Sequence, residues 1–82
     1  MTLTVLYFAI ARELAGTGEE RVEFSADPPT LRALLSHLTA LHPQLSGSLE
    51  RMRVALNESF AELDELTAAE DVIALIPPVA GG

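Results

Sequence analysis

A single helical stripe constrains this chain more than any other feature in it. Leu31, Leu34, Leu35, Leu38 and Leu41 recur at three- and four-residue spacing, which places them on one apolar face of an amphipathic helix. Leu45 falls on the same spacing. Thr30 precedes the stripe as a helix N-cap, and His42-Pro43 ends it, because the residue before a proline avoids helical dihedrals. Leu45 to Arg51 reads as no more than a short helical turn. Everything else reads as strand or connection. One helix must therefore cover one face of one sheet, since the chain offers nothing else to cover it.

The strands follow from alternation and β-branched content. Thr2 to Ala9 reads as a strand with Leu3, Val5 and Tyr7 on one parity and Thr2, Thr4, Leu6 and Phe8 on the other. The second parity starts polar and ends apolar, so both faces are apolar near Phe8. A half-exposed strand does not call for that. Arg12 to Gly18 reads as a connection broken by Gly16 and Gly18. Arg21 to Phe24 alternates as a one-sided edge strand, stopped by Asp27-Pro28-Pro29. Met52 to Asn57 is a third strand, with Met52, Val54 and Leu56 on one face. Asn57-Glu58-Ser59 is a turn, Phe60 to Leu63 a short strand, and Asp64 to Asp71 an acidic connection. Val72 to Ile76 is an unbroken apolar run, expected to be a central strand buried on both faces. The first and last strands are the most apolar and are expected to pair at the centre. The resulting fold class is α+β, a β-grasp (ubiquitin-like) arrangement with a mixed sheet of four to five strands and one main helix across one face. The domain is expected over residues 1–76, with an extended tail over 77–82.

Composition removes several kinds of function. The chain has 82 residues, enough for one domain and too few for two lobes with a cleft between them. It has no cysteine, which excludes a disulfide staple, an iron–sulfur centre, a cysteine nucleophile and a zinc ribbon. All five basic residues are arginine, so no lysine can form a Schiff base or be acylated. A net charge of −7 argues against nucleic acid as a partner. Hydrophobic residues make up 49% of the chain, a high share for a domain with so small an interior. Some of that apolar surface is expected to remain outside and meet a partner. Met1 to Ala11 lacks the basic start of a targeting segment, and no apolar run approaches the roughly 20 residues of a membrane span. The expectation is a soluble, cytoplasmic protein with no membrane or nucleic-acid partner.

The most informative residues are the last six, Pro77-Pro78-Val79-Ala80-Gly81-Gly82. Two prolines end the strand ladder and favour an extended exit. From Pro77 the tail spans at most about 20 Å. Its last two residues have no side chain, so it can thread a channel too narrow for a Cβ. Its tip is an α-carboxylate, and nothing else in the sequence resembles a reacting group. A carboxylate is a poor acyl donor. As a mixed anhydride with AMP it becomes electrophilic, and a sulfur or amine nucleophile can take the acyl group. That activation must be supplied by another protein, because this chain has no phosphate-binding glycine loop. The plain alternative is a frayed terminus that happens to end in glycine.

Together these residues resemble the small subunit of molybdopterin synthase, the MoaD type of ubiquitin-like sulfur carrier. The resemblance covers nearly the whole chain. It rests on Val5-Leu6-Tyr7-Phe8-Ala9, on Arg12-Glu13-Leu14-Ala15-Gly16, on Leu56-Asn57 and on the closing Pro-Pro-Val-x-Gly-Gly. Two positions depart from the pattern. The acidic-glycine turn usual before the last strand reads Ala69-Glu70-Asp71, without its glycine, and Ile76 stands where an aromatic is common. The resemblance implies that a ubiquitin-activating-type adenylyltransferase uses ATP to adenylate Gly82, and that a sulfur donor converts it to a thiocarboxylate. The tail would enter a large catalytic subunit, and the sulfur would pass to a pyranopterin precursor of the molybdenum cofactor. Gly81 and Gly82 would be the catalytic residues, and the large subunit would supply the acid–base groups. The family's partner-binding surface carries over onto Phe8, Phe60 and Ile76, continued by Pro77, Pro78, Val79 and Ala80. For the first three, ordinary core packing is the alternative. The resemblance also implies a heterotetramer of two small and two large subunits, with no cofactor and no metal bound to this chain.

Other groups are weaker candidates. His37 and His42 lie about 140° apart around a helix and do not face one metal, so a surface histidine pair is expected. Glu58, Glu62, Asp64, Glu65, Glu70 and Asp71 form either a solvated loop face or a patch that steers a basic partner. Arg12-Glu13 makes either an interface or a local turn contact. Ser25, Ser36, Ser46, Ser48 and Ser59 have no His–Asp pattern near them. The competing functions are a sulfur carrier for another pathway (thiamine or tRNA thiolation), a ubiquitin-like modifier joined to target lysines through Gly82, and an interaction domain with an inert tail.

Overall fold

The structure, a computed structural model, describes residues 1–78. Five strands, β1 (Thr2–Tyr7), β2 (Glu19–Glu23), β3 (Arg53–Leu56), β4 (Ser59–Phe60) and β5 (Val72–Ile76), form one sheet in the order β2-β1-β5-β3-β4. β1 and β5 run parallel at the centre, and every other pair is antiparallel. Helix α1 (Ile10–Ala15) follows β1, and α2 (Leu31–Leu41) crosses one face of the sheet. Single 3-10 turns at Pro43–Leu45 and Leu49–Arg51 lead back to β3. This is the mixed sheet with one main helix expected above, with the first and last strands paired centrally.

The leucine stripe forms the helix it predicts. The Thr30 hydroxyl accepts from the Ala33 N–H at 3.1 Å, and the His42 N–H closes the other end on the Leu38 carbonyl. Leu31, Leu34, Leu35 and Leu38 are buried against Leu3, Val5 and Tyr7 of β1, Ile73 and Leu75 of β5, and Val22, Phe24 and Val54. Each fully buried leucine of this set contributes about 1.5–3 kcal/mol. Leu41 is exposed at the end of the helix, and Leu45 reaches the core from the 3-10 turn instead.

Several expectations change. The stretch read as a connection from Arg12 begins inside a helix, α1, which starts at Ile10 and is too short to display a period, with only Ala11 buried. Gly16 is its left-handed C-cap at φ 80 rather than a plain breaker. β2 starts two residues earlier than its own alternation suggested, because pairing with β1 extends it. Phe24 lies beyond its end, buried, with its N–H on the Met1 carbonyl. β4 is two residues long and begins at Ser59, and only the Ala61 N–H continues its pairing, onto Val54. β5 is central but not buried on both faces. Ile73 and Leu75 are fully buried under α2, whereas Val72, Ala74 and Ile76 on the opposite face are half-buried. Nothing among the described residues packs as a second layer there. The two histidines are not a surface pair either. His37 packs on Phe24, and His42 bonds Glu20 and meets Tyr7 edge-on.

The β3–β4 hairpin and the start of β5 are locked by one side chain. Asn57 and Glu58 both have positive φ, 50 and 73, as a two-residue hairpin of this hand requires. The Asn57 amide donates to Asp71 Oδ1 at 3.0 Å and accepts from the Val72 N–H at 2.9 Å. Asp71 Oδ2 accepts from the Ala68 N–H, and Glu70 occupies the left-handed region at φ 67. The position where the glycine of an acidic-glycine turn would stand is therefore filled by a residue with a Cβ in a glycine-type conformation.

Candidate functional site

The face of the sheet opposite α2 is built in cross-strand rows. The central row runs from Glu19 through Leu6, Ala74 and Ala55 to Phe60. A second row joins Arg21, Thr4 and Val72, and a third joins Arg53 to Ile76. Two alanines at the middle make the face concave. Phe8, Phe60 and Ile76 are brought together around a hollow of about 350 Å³ with Leu6, Ala55 and Ala74. Phe8 is 47% exposed and Phe60 57% exposed, so neither is a core residue, while Ile76 is half-buried. A second apolar hollow, about 360 Å³, lies where the chain leaves the sheet, lined by Phe8, Ala9, Ile76 and Pro77. Pro78 is exposed beyond it. Val79, Ala80, Gly81 and Gly82 lie outside the described residues.

Backbone geometry aims Phe8 outward. β1 stops at Tyr7, and the Phe8 N–H still bonds the Leu75 carbonyl at 3.2 Å. Ala9 then turns at φ 51, ψ −125, a region that normally requires glycine, and α1 begins at Ile10. Beneath this corner Tyr7 is buried, and its hydroxyl donates to Glu20 at 2.8 Å. His42 bonds the same carboxylate oxygen. Burial, reinforced by the hydrogen bond and the charge of Glu20, pushes the Tyr7 hydroxyl far above its ordinary pKa. Tyr7 is thus a neutral strut joining β1 to β2 and to the end of α2.

The other candidates resolve locally. The Arg12 guanidinium lies over Gly18, where an added Cβ would come within 2.8 Å of its Nε, so Arg12 makes a local contact. In the acidic stretch, Glu65 accepts from the Glu62 N–H, Asp71 holds the turn, and Glu70 forks onto Arg21 at 2.9 and 3.0 Å. Among the described residues no cluster of His, Asp and Glu is placed to hold a metal ion, and no helix is long and apolar enough to cross a membrane. Sequence reasoning missed Arg53, whose guanidinium lies 3.8 Å from the centre of the Phe60 ring. The signal was present. Arg53 and Ala55 share a parity, and the turn at Asn57-Glu58 sets Phe60 opposite Ala55 and so diagonal to Arg53.

Sheet order, single crossing helix and open apolar face define a ubiquitin-like β-grasp protein, an assignment supported by its match to the crystal structure of small archaeal modifier protein 1 from Haloferax volcanii. That structure superposes with a TM-score of 0.89 at 32% identity, covering all of both chains. Residues 5–82 match the ThiS family, and the chain belongs to it. The molybdopterin synthase sulfur carrier subunit of Escherichia coli K12 is 37% identical, over 98% of this chain and 99% of its own. A subunit in the Helicobacter pylori complex of subunits 1 and 2 of molybdopterin-converting factor matches with a TM-score of 0.73 at 25% identity, again over all of both chains.

Proposed function

We propose that this protein is the sulfur-carrier small subunit of molybdopterin synthase. The observation that carries the reading is the gathering of Phe8, Phe60 and Ile76 on the open face of β5, the strand that leads directly into Pro77-Pro78. Family membership and the Helicobacter pylori complex support it. In this reading a large subunit covers the open face and receives the tail, in an assembly of two small and two large subunits in the cytoplasm. An adenylyltransferase of the ubiquitin-activating type lets the Gly82 carboxylate attack the α-phosphate of ATP, releasing pyrophosphate. A sulfide-level donor attacks the resulting acyl carbon through its sulfur, expels AMP and gives up its S–H proton, leaving a thiocarboxylate. That sulfur attacks a carbon of the pyranopterin precursor and displaces an oxygen substituent there, and hydrolysis of the remaining thioester acyl link leaves the sulfur on the precursor and restores the carboxylate. Gly81 and Gly82 are the working residues, and Pro77 to Ala80 are the contacts that guide them in.

The match to an archaeal modifier at a TM-score of 0.89 favours a second reading, in which the activated Gly82 is joined to amines of other proteins. Incubation with ATP, the adenylyltransferase and a sulfur source, followed by intact-mass analysis, tests both. A gain of about 16 Da, sulfur for oxygen at the acyl group, is the expected result for the carrier. Higher-mass conjugates in place of that gain support the modifier, and an unchanged mass with a competent activating enzyme refutes both.

A further inference from the structure

Two arginines stand on the open face of the sheet, in different electrostatic states. Arg21 is paired with Glu70, whose two carboxylate oxygens both accept from Arg21 Nη2, and it also donates from Nη1 to Thr4. Arg53 stacks on Phe60, and among the described residues no carboxylate pairs with it. Stacking covers one face of a guanidinium and leaves its N–H donors free around the edge, held in a fork that matches a carboxylate. It also holds the long side chain in place, so less freedom is lost when that fork is engaged. The chain carries −7 overall, a field that repels acidic groups. Arg53 is a local exception on the open face, next to Ile76 in register and stacked on Phe60, beside the hollow whose own lining includes Glu58.

We propose that Arg53, stacked on Phe60, is a specificity-determining residue of the partner face and accepts a carboxylate of the large subunit at the edge of the apolar contact. Phe60 supplies apolar area and holds the guanidinium, while Arg53 selects partners that present an aspartate or glutamate there. The proposal rests on the reading of Phe8, Phe60 and Ile76 as the surface a large subunit covers.

The test is the affinity of the whole protein for its molybdopterin synthase large subunit, at about 0.05 M and about 0.5 M salt. Arg53→Met keeps packing on Phe60 without the charge and should weaken binding about tenfold at low salt, and Arg53→Glu about a hundredfold. At high salt both gaps should shrink to under about threefold, because the charge part is screened. Melting temperatures of both variants should stay near wild type, since Arg53 is exposed. Phe8→Asp serves as the control for the face itself. If Phe8→Asp impairs binding while both Arg53 variants bind as wild type, the Arg53 proposal falls and the face stands. If Arg53→Met weakens binding by the same factor at both salts, Arg53 only supports the Phe60 ring, and the proposal is again overturned. If Phe8→Asp leaves binding unchanged, the reading of the face itself falls, and Arg53 with it.

Discussion

Truncating Phe60 to alanine separates an interface residue from a core residue by magnitude. A phenylalanine carries about 200 Å² of surface. With 57% of it exposed, about 110 Å² remains for a partner to cover. At about 25 cal/mol/Å² that area is worth about 2.8 kcal/mol on binding, or about a hundredfold in Kd. This is an upper value, because association also costs ordering and desolvation. The other 90 Å² or so, already buried in the free domain, contributes about 2 kcal/mol to folding, again as an upper value. Phe60→Ala should therefore raise Kd for the large subunit by about 30- to 100-fold and leave a cooperatively folded domain. Calorimetric titration at 15 °C, with a parallel thermal melt, measures both quantities. Phe60→Leu should recover most of the affinity. The burial part of the loss should persist at high salt, unlike the part assigned to Arg53. A Kd within threefold of wild type, or a domain unfolded at the assay temperature, would refute the placement of Phe60 on a partner face.

Three further outcomes are expected. Glu70→Ala and Glu70→Gly both lose the exposed pair with Arg21, but only glycine relieves the left-handed strain at φ 67. The glycine variant should therefore melt about 3–8 °C above the alanine variant in a paired thermal scan, and equal melting would refute the strain. The raised pKa of Tyr7 means that the folded state holds its proton more tightly than the unfolded chain. Stability is thus fully present below about pH 10 and falls as pH rises beyond it. Tyr7→Phe should cost about 1 kcal/mol near neutrality, since Glu20 keeps His42, and should flatten the alkaline fall in urea titrations; an unchanged alkaline fall would show another group is responsible. Removing Gly82 should abolish the thiocarboxylate mass gain without moving the melting temperature, and a retained gain would refute the assignment of the reacting carboxylate.

What the sequence showed depended on how many residues shared a signal. Five leucines on one period, a threonine cap and a His-Pro stop placed α2 to the residue, and the apolar content of the first and last strands placed them together at the centre. Helix α1 has six residues and one buried contact, so no period existed to read. The open face was legible only as an excess, in that Phe8 broke the alternation of its strand and the chain held more apolar residues than its interior needed. Cross-strand register was required to bring Phe8, Phe60 and Ile76 to one hollow, and the central register, of β1 on β5, joins partners such as Leu6 and Ala74 from opposite ends of the chain. Arg53 was missed for a local reason: its ring partner lies across a hairpin, and the parity signal places them together only once the two-residue length of that turn is known.

β5 carries the link between fold and function. Its two parities are assigned to different tasks: Ile73 and Leu75 hold the sheet under α2, while Val72, Ala74 and Ile76 face outward beside Phe8 and Phe60. An unbroken apolar run reads as a strand buried on both faces, and under the proposed function the second layer is the large subunit. Substitutions should therefore separate by parity on this one strand. Leu75→Ala should cost about 2–5 kcal/mol of folding stability, as cavity formation in a tight core does. Ile76→Ala should cost about 1 kcal/mol or less of folding stability, because its side chain is only half-buried in the free domain, and should weaken binding instead. Comparable stability losses at both positions would show that β5 is packed on both sides in the free protein, and the open face would then have to be abandoned.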